Sequence, residues 1–362
     1  MVARGLDSVG TGRQIELAAE AFQAAGWEVH LAATTAGGAL ATRLTHAGMT
    51  VHQLSTRPVV DAAAALRLVQ VARRLGLGSS DVVLTWGRSQ VRVAAAIKLW
   101  IPTVRFVSHL AMRPSGTLAG LALGQADRVI ASSPAVAAGC KRLGVSPVKI
   151  DMIPPAADPA PAEGLSRAEL AARLGLDPEK IWTLCVAPLV PEARLERLLW
   201  AIDQLGVVHR RLEHVLVGAG PLRARVLRRA RVQHLAERLH LFPHSDCLPD
   251  LLREVRLVWQ SGEVACGGAI LDGMALGIPA VAVASDSARQ LIVDGETGRI
   301  VPAEPESEFP RRALGIIEDD ALASTYGSAA KARAAAEFPT DRMVAAVLAA
   351  ASTDAFKYER AK

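Results

Sequence analysis

Short apolar runs rich in Val and Ile alternate along this chain with longer segments of helical period. In the first half the runs fall at 28–33, 49–54, 81–85, 103–108, 128–131 and 149–153. Each is of strand length and predicts a strand. Between them, Ile15, Ala18, Ala19 and Phe22 share one helical face, as do Leu66, Val69 and the aliphatic stem of Arg73. Strands alternating with helices predict parallel strands joined by right-handed crossovers, hence a doubly wound α/β sheet. Only residues 2–6 precede the first glycine turn, and they include Arg4 and Gly5. The first strand is therefore expected to be short, absent, or lost to a misplaced start codon.

The pattern breaks at 154–164, where four prolines and four alanines leave little that could pack. That composition reads as a linker or exposed connection. The alternation then restarts, with strands expected at 181–187, 214–217, 239–242, 257–260 and 279–283. From Glu308 onward the chain reads as helical and ends in a helix over 341–351. Two Rossmann-like units with a cleft between them follow, the cleft being the default place for a ligand.

Composition narrows the class. Hydrophobic residues make up 51% of the 362, enough for two cores. No run of about 18 uninterrupted apolar residues occurs, so no membrane span is predicted. The first residues lack the apolar stretch of a signal peptide, so a cytoplasmic protein is expected, with peripheral contact to the inner face of a membrane. The net charge of +5 suits anionic ligands or an anionic lipid surface. Cys140, Cys185, Cys247 and Cys266 are scattered and read as reduced, packed thiols. Neither they nor the nine histidines have metal-ligand spacing. Six arginines lie in 222–238 without interleaved aromatics, which reads as a solvated face and not as a nucleic-acid site.

Three glycine turns lead into helices. The first is Gly10-Thr11-Gly12-Arg13; the second is Val217-Gly218-Ala219-Gly220-Pro221. The third lies in Ser261-Gly262-Glu263-Val264-Ala265-Cys266-Gly267-Gly268-Ala269-Ile270-Leu271-Asp272. Such turns bring backbone N–H groups close to a phosphate at a helix start. A dinucleotide fingerprint is incomplete, because the third glycine is missing at Gly10–Gly12.

Four segments, ADRVIASSPAV, VGAGPLRARV, LDGMALGIPAVA and VDGETGRIVP, resemble glycosyltransferase family 4 in order and spacing. The resemblance runs from about Gly10 to Arg342. It implies the GT-B fold, with an acceptor domain at 1–157, a linker at 158–178 and a nucleotide-sugar domain at 179–340. A helix within 341–362 would pack back toward the first domain. It also implies a retaining transfer from a nucleotide diphosphate sugar, with no metal and no cofactor. The acceptor would be a glycan, a lipid-linked molecule or a small molecule.

The family's donor-site positions are altered here. The family's diphosphate-binding Arg and Lys fall at Pro188 and Ala193. Arg194, one position later, either replaces one cation or is an ordinary surface arginine. Of the family's two glutamates, the second falls at Asp272, a ribose ligand by resemblance, and the first at Val264. The neighbouring Glu263 is either its substitute or a solvated loop carboxylate. His109 matches a histidine that faces the donor sugar, the other reading being a structural histidine. Gly10, Gly12, Arg13, Gly267 and Gly268 complete the expected donor site, with His109 and Glu263 as catalytic candidates. Two classes remain: an active glycosyltransferase serving cell-envelope or polysaccharide glycan synthesis, or a degenerate GT-B chain acting as a binding or scaffold subunit. An NAD-dependent enzyme is disfavoured by the incomplete fingerprint.

Overall fold

The computed structural model describes residues 1–4, 10–34, 39–54, 61–159, 161–244 and 246–352. The chain divides into two units. Unit 1, Met1–Ala156 with the chain from Thr340 onward, is built on a seven-stranded parallel sheet. Its strands are β1 (Val2–Ala3), β2 (His30–Ala33), β3 (Thr50–Gln53), β4 (Val82–Trp86), β5 (Arg105–Leu110), β6 (Arg128–Ala131) and β7 (Ile150–Met152). They run in the order β3-β2-β1-β4-β5-β6-β7. The connecting helices are α1 (Thr11–Ala24), α2 (Ala39–His46), α3 (Asp61–Arg74), α4 (Arg88–Trp100), α5 (Thr117–Gly124) and α6 (Pro134–Arg142).

Unit 2, Ala157–Pro339, carries a six-stranded parallel sheet. It comprises β8 (Ile181–Val186), β9 (Leu212–Val217), β10 (Leu239–Phe242), β11 (Leu257–Gln260), β12 (Ala280–Val283) and β13 (Gly298–Val301), in the order β10-β9-β8-β11-β12-β13. Its helices are α7 (Arg167–Leu174), α8 (Leu195–Val208), α9 (Arg223–Val232), α10 (Leu248–Glu254), α11 (Ile270–Leu276), α12 (Asp286–Leu291), α13 (Glu308–Glu318) and α14 (Asp320–Glu337). The last helix, α15 (Thr340–Ala351), packs against α1 and so belongs to unit 1.

The central strands of both sheets are buried on their two faces, which is why most of them read as largely apolar runs, while edge strands such as β3 (TVHQ) are partly exposed. In unit 1, Ile15, Phe22 and Val347 fill one side; Val69, Ile97 and Cys140 fill the other. All four cysteines are free and buried. Among the described residues no helix is long and apolar enough to cross a membrane.

Of the three alternatives for the first strand, the short one holds: Val2 and Ala3 pair with β2, and Val2 also pairs with β4; residues 5–6 of the expected segment lie outside the described residues. Other expectations need correction. Leu66 faces solvent, because Ala64, Leu68, Val69 and Ala72 form the inward stripe of α3. The segment 158–178 is not merely a linker. Ser166 and Glu169 form a capping box that starts α7, and α7 packs on α10 within unit 2. At the head of the proline-rich stretch, Ala156 is buried and held by both ends of the Gln14 amide. Strand β13 was unforeseen, its sequence having been read only as the turn ending at Gly298. Of the C-terminal segment, 353–362 lies outside the described residues.

Candidate functional site

In unit 2 the chain lays β8 mid-sheet, adds β9 and β10 on one side, then returns to place β11 on the other. The order reverses between β8 and β11, and ligands of doubly wound sheets bind outside the strand ends at such a reversal. The loops there are 187–194 and 261–269, which carry Arg194, Glu263, Gly267 and Gly268. They are fastened to one another by one backbone and one side-chain bond: Glu263 N–H donates to the Glu192 carbonyl (2.9 Å), and Ser261 Oγ donates to the Ala193 carbonyl (2.8 Å). Gly262 permits this approach, since a Cβ there would overlap the Glu192 carbonyl oxygen. Gly268 has φ 57° and ψ −119°, and a Cβ there would overlap the carbonyl oxygen of Val186 at the end of β8. Gly267, at φ 70°, packs on Leu291 of α12.

The Glu263 carboxylate is turned to the start of α12. It accepts from Asp286 N–H (2.7 Å) and Ser287 N–H (3.2 Å), while Ser285 Oγ accepts from Ala288 N–H (3.2 Å). The first donors of that helix are thus satisfied, one of them by a residue 23 positions earlier. Gln260 Nε2 joins the same cluster, donating to Ser287 Oγ (3.1 Å) and the Gly262 carbonyl (2.7 Å). Sequence reasoning missed Gln260 and Ser287; no local signal marks either. Arg194 heads α8 in the left-handed region (φ 50°), is exposed, and has no side-chain partner among the described residues. Asp272 lies in the first turn of α11, buried and engaged within the fold. Among the described residues no three His, Cys, Asp or Glu side chains gather into a metal cluster.

In unit 1 the reversal falls between β1 and β4. Gly10 (φ 56°) heads α1, where Gly12 and Arg13 are buried. Arg13 Nη1 donates to Glu16 (2.8 Å), whose carboxylate also takes Arg43 Nε (3.0 Å) and Nη2 (2.8 Å). His109 lies on β5 in register with Trp86 at the end of β4, and their rings are in contact, tilted by 32° with centroids 4.1 Å apart. Both residues are buried, and neither His109 Nδ1 nor Trp86 Nε1 finds a partner among the described residues. Burial pushes the His109 imidazole down to about 3, so it is neutral at physiological pH. Gln90 Nε2 donates to Thr34 Oγ1 (3.1 Å) at the same strand edge.

Two family matches account for most of this chain. The family described as Glycosyltransferase Family 4 matches residues 9–160, and Glycosyl transferases group 1 matches residues 181–319. The chain belongs to the family-4-like glycosyltransferases. A D-inositol 3-phosphate glycosyltransferase of Streptomyces bingchenggensis is 28% identical over 240 residues, 62% of this chain and 52% of that protein. The phosphatidyl-myo-inositol mannosyltransferase of Mycolicibacterium smegmatis is 33% identical over 72 residues, 20% of this chain and 19% of that protein. The chain thus spans about half the length of the first relative and less of the second. Among solved structures, Anabaena HepE in complex with UDP-glucose superposes with TM-score 0.75 at 19% identity, covering 96% of this chain and 98% of that one. That likeness is one of GT-B fold.

Within this family-4-like chain the altered positions have definite surroundings. Pro188 is exposed, whereas Ala193 and Val264 are buried. Ala193 is wholly enclosed, and Val264 lies under Gly268. Neither buried position could hold a solvated charge without rearrangement.

Proposed function

We propose that this chain moves a sugar from a nucleotide diphosphate sugar to an acceptor hydroxyl, with retention and without a metal, in cell-envelope or polysaccharide glycan synthesis. The observation that carries this reading is the pair of mutually fastened loops at the β8/β11 reversal, with Gly268 against Val186. HepE, of the same fold, is complexed with UDP-glucose, and the curated relatives carry glycosyltransferase and mannosyltransferase names. Free, buried cysteines fit a reducing compartment, so the proposed site of action is the cytoplasm.

In this reading the diphosphate lies at Gly267–Gly268, and the exposed Arg194 supplies the nearby cation. Charge grows on the diphosphate as the glycosyl bond breaks, and prepositioned donors there lower the barrier. Asp272 is assigned to the ribose hydroxyls. Glu263 shapes the loop through its hold on α12. The acceptor falls to unit 1. Gly10, Gly12 and Arg13, in the first turn of α1, and His109 keep the donor-side roles that the resemblance implies; His109, being neutral, acts as a hydrogen-bonding group and not as an acid. A second reading, a binding or scaffold subunit, is favoured by Pro188, Ala193 and Val264, which remove three polar groups from one region.

Calorimetric titration with UDP and GDP, on the wild type and on Asp272→Asn and Arg194→Ala, separates the two. Micromolar binding that weakens about tenfold or more in either variant is expected of the enzyme, each lost charged hydrogen bond being worth about 1.5–3 kcal/mol. Absence of binding near millimolar nucleotide gives the scaffold reading.

A further inference from the structure

Unit 1 carries an apolar surface that its fold leaves uncovered. Of the eleven large hydrophobic side chains exposed among the described residues, six lie on or directly after α3, α4 and α5. They are Leu66, Leu75, Leu99 (76% exposed), Trp100 (56%), Leu118 (64%) and Leu121 (70%). The three helices are neighbours, α4 packing on both α3 and α5. Their inward residues, Val69, Ile97 and Leu123 among them, share one core, so the outward ones face away from the sheet together. Helix α5, TLAGLALG, has no charged side chain at all. A helix apolar on every side is ordinarily enclosed.

The charge around this surface is one-sided. Residues 61–127 contain eight Lys and Arg against three acids, Asp61, Asp81 and Asp127; of the eight, Arg105 is buried and Lys98 is paired with Asp127. Arg67, Arg73, Arg74, Arg92 and Arg113 are exposed. The Arg73 guanidinium sits over the Trp100 ring, 4.7 Å from its centroid, which sets a cation beside an exposed amphipathic ring. Leucines inside a cationic border, with Trp at the edge, match the acyl and headgroup zones of an anionic leaflet. A second copy would bring two arginine-rich surfaces together, which like charge opposes. Nucleic acid would use the arginines and leave the leucines wet.

We propose that the α3–α5 face of unit 1 docks on an anionic lipid surface, with Leu99, Trp100, Leu118 and Leu121 entering the headgroup boundary. This is independent of the donor site, and its test uses no substrate. The full chain is sedimented with vesicles of phosphatidylcholine alone and of equal parts phosphatidylcholine and phosphatidylglycerol. Binding to the mixed vesicles only, weakened by salt, is expected. Leu118→Ser with Leu121→Ser lowers it at least about tenfold, from the apolar area lost. Arg73→Gln with Arg74→Gln lowers it about fivefold per residue. Arg228→Gln with Arg229→Gln, on the exposed basic face of α9 in unit 2, leaves it unchanged. All these side chains are solvent-exposed, and circular dichroism verifies that each variant folds. No pelleting with mixed vesicles overturns the proposal, as does an equal loss in the α9 variant. A dimer abolished by the leucine changes, without vesicle binding, makes the face an interface between copies instead. Duplex DNA binding that is indifferent to the leucines, again without vesicle binding, also overturns it.

Discussion

The backbone of Gly268 lies directly against the carbonyl of Val186, with no room for a Cβ between them. Its φ of 57° and ψ of −119° belong to a region that side chains rarely enter. Gly268→Ala therefore combines backbone strain with a clash against main chain that cannot swing aside. A loss of about 2–4 kcal/mol is expected from urea denaturation. Gly315, exposed inside α13 with nothing within 4 Å of its Cβ direction, is the contrast. Gly315→Ala should raise stability by about 0.5–1 kcal/mol. Equal effects at the two positions would dismiss the packing argument for the loop.

Glu263 offers a way to separate positioning from chemistry. Its carboxylate takes two N–H groups at the head of α12, one of them from Ser287, whose hydroxyl takes Gln260. Glu263→Ala should cost about 1–2 kcal/mol, as loss of a helix cap does. Glu263→Gln keeps an acceptor oxygen and should retain most of the stability. With a transfer assay, a positioning role raises KM for the donor in Glu263→Ala and is largely rescued in Glu263→Gln. A kcat fall of equal size in both variants points instead to a charge used in the reaction.

Much of the architecture was legible because parallel strands buried on both faces have to be apolar runs, and the glycine turns punctuate them. Strand β6 and strand β10 fall where the runs predict. What failed was decided by tertiary context. β13 pairs with β12 at the sheet edge, and its four residues follow a turn signal that dominates the local pattern. Leu66 looks like a core residue by spacing, yet the stripe is set by Leu68 and Ala72, one step round the helix. In the site, the glycines were readable since their constraint is local. The Glu263–Ser287 bond was not, because its partner lies 24 residues away. The Trp86–His109 contact also depends on strand register, which no local pattern reports.

Acid should destabilise this protein earlier than its carboxylates alone would. His109 and His214 are both buried, and desolvation pushes each down to about 3; for His214 the neighbouring Arg238 and His240 add to it. In the unfolded chain a histidine protonates near pH 6.5. Above that pH both states are neutral and nothing is lost. As pH falls from 6.5 toward 3, only the unfolded state gains the proton, so stability falls throughout that window. The loss is about 2 kcal/mol per histidine by pH 5. Urea midpoints at pH 7.5 and pH 5 test this, and His214→Gln should flatten the difference. A slope unchanged in that variant would mean that His214 is not excluded from protonation in the fold.

Gln14 and Ala156 provide a stability test at the end of the first long segment of unit 1. The buried Gln14 amide donates to the Ala156 carbonyl (2.9 Å) and accepts from the Ala156 N–H (2.6 Å), imitating a strand partner. Gln14→Ala leaves a donor and an acceptor of Ala156 without these bonds, for a loss of about 2–4 kcal/mol. Gln14→Glu should be worse near neutral pH, since a carboxylate accepts but does not donate, and burial penalises its charge. Burial raises that carboxyl above its unfolded value, so the variant weakens as pH rises from the ordinary carboxylate value to the raised one, and its stability is fully recovered below the ordinary value. Thermal melts of the two variants across pH decide the matter. A Gln14→Glu protein as stable as wild type at neutral pH would show that water reaches this amide and that the pairing holds little of the fold.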